Sequence, residues 1–171
     1  CSSNITTMAT GTACGGIVGS LINQSTIQNC YSAGSSIGNV DVGGLVGAVG
    51  ESTIANCFSI ATVNAKRGGA SLIGVSQGSN IKNNITFADQ YNQYKFDGRT
   101  IAEQFENYEG NYEYENNTGI STLTREGIDF EGKIKVATQQ EIASVDFYSN
   151  ILGWDLNIWD FTGVILGATP K

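Results

Sequence analysis

The side chains able to do chemistry are few in this 171-residue chain. It has no histidine, which removes the commonest general base, the commonest zinc ligand and every His-dependent triad. Its four cysteines, Cys1, Cys14, Cys30 and Cys57, form no CxxC pair and lack a second ligand type to complete a zinc site. They could pair or react as thiols; the reading favoured here is small buried hydrophobes, with Cys14 loosely packed. Hydrolysis or lysis of a polysaccharide needs acids converging on one exposed face. In the first half only Asp41 and Glu51 offer themselves, ten residues apart and not repeated. Glu103, Glu106, Glu109, Glu113 and Glu115 could attract calcium, but without the Asp-x-Asp-x-Asp-Gly order they read as a solvated acidic surface. Tyr108, Tyr112 and Tyr114 are candidate contacts for a glycan or protein, or else rings that pack. No catalytic, cofactor-binding or metal residue is expected.

Sixteen acidic and 9 basic residues give a net charge of −7. Nucleic-acid binding, which needs a basic face, is excluded as the expectation. The length suits one domain with a real core. Glycine supplies 22 residues against a usual ~7%, and proline one. No apolar run approaches the ~18 residues of a membrane span, so membrane insertion is not expected. Opening on Cys1, the chain reads as a piece of something longer, with a cut coil exposed there.

An internal repeat organises the first half. Gly15-Gly16-Ile17-Val18-Gly19 recurs as Gly43-Gly44-Leu45-Val46-Gly47 and, degraded, as Gly69-Ala70-Ser71-Leu72-Ile73-Gly74. A second block, Ser25-Thr26-Ile27-Gln28-Asn29-Cys30, recurs as Ser52-Thr53-Ile54-Ala55-Asn56-Cys57 and as Ser79-Asn80-Ile81-Lys82-Asn83-Asn84. Successive isoleucines are 27 apart (54 − 27 and 81 − 54), and Cys1 lies 29 before Cys30. Each unit holds two short runs of strand-forming residues between Gly, Ser and Asn, with neither a helical period nor a tight hairpin turn. An all-β, parallel β-helix of ~27-residue coils fits this pattern, right-handed by the usual preference. Coils ~4.8 Å apart would stack Ile27, Ile54 and Ile81 in one column and Val18, Val46 and Ile73 in another. Cys1, Cys30 and Cys57 would form a third, with Asn84 taking the fourth place. Asn29, Asn56 and Asn83 would form an amide ladder beside it. Gly16, Gly19, Gly44, Gly47 and Gly74 would mark corners, by positive φ or by close backbone approach.

Gly-Gly-Leu-Val-Gly followed by Ile-Ala-Asn-Cys-Phe-Ser resembles the GLUG repeat of bacterial cell-surface proteins over roughly residues 1–88. The tail is similar to the segment that closes such regions: Phe147-Tyr148, Leu152-Gly153-Trp154, Trp159-Asp160-Phe161, Gly167 and Pro170. The likeness is nearest to the non-catalytic upstream region of Gram-positive immunoglobulin A protease-type zinc metallopeptidases. It implies an extracellular, surface-attached module, contacting a host or substrate protein (immunoglobulin among them), a glycan, or other domains of its own polypeptide. That family's His-Glu-x-x-His motif has no counterpart here.

Thirteen of the sixteen acids lie beyond residue 90. Three sections are expected: coils over 1–90, an irregular strand-rich acidic continuation over 91–137, and a helix with a Trp-rich cap over 138–171. Within them the sequence suggests a helical turn at 101–105, a half-exposed strand at 112–115, a turn at 116–119 and a strand at 130–136. Thr138 and Glu141 make a T-x-x-E capping box, and the aromatic tail is expected to lie over the last coil. The function expected is a rigid spacer or substrate-contact surface. An adhesin domain is the first alternative and a β-helical polysaccharide-active enzyme the second.

Overall fold

The computed structural model describes residues 1–87, 108–114, 134–166 and 168–171. The first coil contains β1 (Ser2–Gly15), β2 (Val18–Leu21) and β3 (Thr26–Gln28). The second contains β4 (Tyr31–Gly43), β5 (Val46–Gly50) and β6 (Thr53–Ala55). The third contains β7 (Phe58–Ser59), β8 (Thr62–Ala70), β9 (Ile73–Gln77) and β10 (Asn80–Lys82). Beyond it come β11 (Ile85–Thr86), β12 (Tyr108–Glu109), β13 (Asn111–Tyr114) and β14 (Ile134–Ala137). The strands stack into three sheets, β1-β4-β7-β11-β13-β14 with β8 also on β4, β2-β5-β9, and β12-β10-β6-β3. Among the described residues every strand pair is parallel. This is a β-solenoid.

The expected columns are present. Ile27, Ile54, Ile81 and then Tyr108 are successive partners, as are Val18, Val46 and Ile73. Ile27, Ile54, Ile81, Val18, Val46 and Ile73 line the interior with Leu45, Leu72, Cys30 and Cys57. Parallel stacking makes each side chain meet its own counterpart above and below, so a repeat of like residues packs without a second pattern.

Three further columns turn the chain. Ala13, Asp41 and Gly68 have φ of 60, 54 and 59°; Gln24, Glu51 and Gly78 have 58, 49 and 58°. Asn29, Asn56, Asn83 and Gly110 have 54, 55, 58 and 61°. Left-handed residues therefore make the bends, and most of them are not glycine. Asparagine visits that conformation more readily than other non-glycine residues, which accounts for the Asn column better than an amide ladder does. The repeated glycines serve instead for close approach. A Cβ on Gly19 would sit 2.9 Å from the Ala13 carbonyl oxygen, and one on Gly47 2.5 Å from the Cys14 nitrogen.

The long strands hold a feature that the sequence reading lacked. Thr7 and Cys14 lie seven residues apart in β1, which a straight strand would separate by roughly 23 Å. Yet the Cys14 thiol lies 3.5 Å from the Thr7 hydroxyl. The strand doubles back as an arch, and β4 and β8 repeat it in register. Between its legs Cys14, Val42, Val63 and Ala65 form a small apolar cluster. Cys14 is thus firmly packed, contrary to the expectation of loose packing.

The capping box forms as expected. Thr138 Oγ1 accepts from the Glu141 amide at 3.3 Å, and Glu141 Oε2 accepts from the Thr138 amide at 2.7 Å, opening α1 (Gln139–Ile142). A π-helical turn (Phe147–Ile151) and a 3-10 turn (Val164–Leu166) follow. The turns expected at 101–105 and 116–119 lie outside the described residues.

Candidate functional site

Three places gather the residues that could act on a partner. The first is the cysteine column. Cys30 and Cys57 are buried and Cys1 is exposed, all as free thiols. Each buried sulfur lies 3.1 Å from the carbonyl oxygen two residues before it, Gln28 for Cys30 and Ala55 for Cys57. Burial pushes the Cys57 thiol above its ordinary 9, so it stays protonated. Its hydrogen bond holds the facing Cys30 down at about 6. Asn84 continues the column. It accepts from the Cys57 amide at 2.9 Å through Oδ1, and through Nδ2 donates to the Ile54 carbonyl at 3.2 Å and to Asn111 Oδ1 at 2.9 Å. Asn111 in turn donates to the Ile81 carbonyl at 2.6 Å. These are buried, satisfied groups, and their chemistry is cohesion between coils.

The second place is the tyrosine set. Tyr112 is buried with its ring edge-on to Phe147, centroids 5.1 Å apart, and Lys135 Nζ stands 5.7 Å from its centroid. Tyr112 is therefore a packing residue. Backbone register sets Tyr108 beside Ile81 and Tyr114 beside Ala137. The acidic run around them lies mostly outside the described residues.

The third place is the aromatic flank. Tyr31, Phe58, Ile85 and Tyr112 are register partners from four successive coils. They alternate with the inward Cys30, Cys57, Asn84 and Asn111, so they face outward. Tyr31 stacks on Phe58 at 4.7 Å and 4°. The C-terminal segment closes over this column. Trp159 lies 5.5 Å from Phe58, Trp154 stacks on Trp159 at 4.7 Å, and Tyr148 lies 5.3 Å from Trp154. The Trp154 indole donates to the Asn83 carbonyl at 2.8 Å. The segment expected over the last coil is a strap along the side of several. An outward column of large apolar rings is what decides this, because only a lateral cover can bury it.

Beside the strap lies a shallow groove of about 550 Å³, with Leu156, Ile158, Trp159 and Phe161 as its apolar wall and Asn157 and Asp160 as polar members. Leu156 and Ile158 are 58% and 54% exposed. Hydrogen bonds from the Thr162 hydroxyl and amide lower the Asp160 carboxyl below the ordinary range. The Trp159 indole N–H is buried with no acceptor among the described residues. The sequence reading used this stretch only as cap.

Asp41 and Glu51, the only acids of the first 87 residues, hold left-handed turn positions in separate columns. Among the described residues no group of three or more Cys, Asp or Glu is placed to hold a metal. None of the described helices is long and apolar enough to cross a membrane. No protein-family model matches the chain, and neither a curated protein nor a solved structure matches it.

Proposed function

We propose that this chain is a non-catalytic extracellular module of a large bacterial cell-surface protein, a stiff β-solenoid that spaces or presents other parts of the same polypeptide. The observation that carries this reading is the continuity of interior columns through successive coils, with buried Ser, Asn and Ile meeting their own counterparts. Ser25 and Ser52, for example, each direct a backbone amide to the hydroxyl of the next serine in the column, at 3.1 and 3.2 Å. Such a rod resists bending, because any bend must break ladder bonds on one side. The repeat's likeness to GLUG segments supports a cell-surface setting, and the tail's likeness supports an immunoglobulin A protease-type metallopeptidase as the parent. The test is limited proteolysis with thermolysin. Residues 1–87 are expected to survive as one protected fragment; rapid cleavage inside the coils would overturn the spacer reading.

The exposed groove beside Trp159 favours a second reading, an adhesin domain for host glycan or protein. A glycan and immunoglobulin binding screen separates the two. Binding that disappears on Asp160→Ala, with melting temperature unchanged, would establish the adhesin.

A further inference from the structure

The cysteine column brings two thiols face to face. Register runs at an offset of 27 on both sides of it, through Ile27–Ile54 and Tyr31–Phe58, so Cys30 and Cys57 are partners across one coil boundary. They follow equivalent left-handed bends at Asn29 and Asn56, with φ of 54 and 55°, and enter one interior cluster. Their sulfurs hold equivalent places, each 3.1 Å from the carbonyl oxygen two residues back. The Cys57 sulfur also reaches into the coil before it, 4.0 Å from the Ile27 carbonyl oxygen. One coil further on, Asn84 Nδ2 spans the same gap to the Ile54 carbonyl oxygen at 3.2 Å. Neighbouring strands put such Cα atoms ~4.8 Å apart, inside the ~4.4–6.8 Å that a disulfide spans. Parallel side chains hold their Cβ atoms at about the same ~4.8 Å, just beyond the usual ~3.5–4.5 Å. A bond closed there carries strain, and strain makes it easy to reduce.

We propose that Cys30 and Cys57 are a reversible redox pair, closed to an intercoil disulfide by a small-molecule disulfide and reopened by thiols. The Cys30 thiolate attacks one sulfur of the reagent and expels the other as a thiolate, leaving a mixed disulfide. The Cys57 sulfur then attacks the Cys30 sulfur, expels the second half of the reagent and gives its proton to that leaving group. Two protein sulfurs are oxidised, and one reagent disulfide is reduced to a thiolate and a thiol. Cys30, held down at about 6 chiefly by the Cys57 hydrogen bond, supplies the attacking thiolate. Cys57 is the resolving partner beside it. Closure ties one whole coil, β4 to β6, into a covalent ring. Cys14 belongs to the separate cluster inside the arch, and Cys1 is exposed, so neither is the expected partner. The inference rests on the coil register and stands apart from the spacer reading.

The experiment incubates the folded chain with oxidised glutathione near neutral pH to its end-point, because buried thiols react only through brief opening of the coil boundary. Acid quenching and peptic digestion then map the links by mass. A peptide pair joining Cys30 to Cys57, two hydrogens lighter than the separate peptides, should dominate. Alkylation of both cysteines in denaturant should fall at least tenfold after oxidation, and dithiothreitol should restore it. In Cys57→Ser, glutathione should stop on Cys30 as a mixed disulfide. Cys1→Ser should leave the Cys30–Cys57 link unchanged. Free Cys30 and Cys57 in the oxidised original chain, or a dominant Cys1–Cys30 link, would overturn the proposal. So would an equal share of the Cys30–Cys57 link from chain unfolded in urea, or an unmodified Cys30 in Cys57→Ser.

Discussion

At the scale of single residues, the repeat separates two demands on the backbone that glycine alone could have met. Close approach is met by Gly at Gly19 and Gly47, whereas bending is met by whichever residue stands in the left-handed column. Glu51, exposed at φ 49°, holds its bend against the penalty for an L-residue, while its partner Gly78 holds the same bend without one. Glu51→Gly should therefore stabilise by up to about 1 kcal/mol and Gly78→Ala destabilise by a similar amount; urea titration of the two variants checks the opposite signs. Ile54→Ala, in a fully buried column, should cost about 2–5 kcal/mol by the same measurement. The alkaline limb of stability follows from Cys57 and Tyr148, both raised by burial. Their contributions are complete below the ordinary values of 9 and 10 and are lost as pH rises past them. Cys30, held down at about 6, adds stability between 6 and 9 and a constant amount above. Melting temperature should thus fall from pH 9 to 11. Tyr148→Phe should soften that fall, at a cost of about 1 kcal/mol at pH 7 for the lost hydrogen bond to the Ile142 carbonyl.

Elements show how far the residue pattern could be read. The columns of Ile27, Val18 and Cys30 were legible because like residues recur at one spacing, and parallel stacking turns that spacing directly into contact. The fourth coil was not legible, although Tyr108 follows Ile81, and Asn111 follows Asn84, by the same 27 positions. There the spacing persisted while residue types changed, so Tyr112 read as a half-exposed strand residue. The arch was missed because Thr, Ser, Ala and Gly carry a weak apolar signal, and doubling back is set by contacts such as Thr7–Cys14. Sequence alone suggests an end cap rather than a strap because Tyr31 and Phe58, one residue beyond each cysteine, do not by type announce an outward column needing cover. The strap's burial of that column predicts that Trp154→Ala destabilises by about 3–5 kcal/mol. That variant should also make the chain bind a dye for exposed apolar surface, and a null result on both readouts would remove the strap from the account.

For the whole molecule, the interior columns and the laterally strapped flank derive from one arrangement: equivalent residues of successive coils in vertical register. Nuclear Overhauser contacts between isoleucine methyl groups read that register most directly, in a sample labelled at the Ile δ-methyls. The account predicts contacts from Ile27 to Ile54 and from Ile54 to Ile81, with none from Ile27 to Ile81, two coil spacings or about 10 Å apart. Absence of the two neighbour contacts, or a direct Ile27–Ile81 contact, would contradict it.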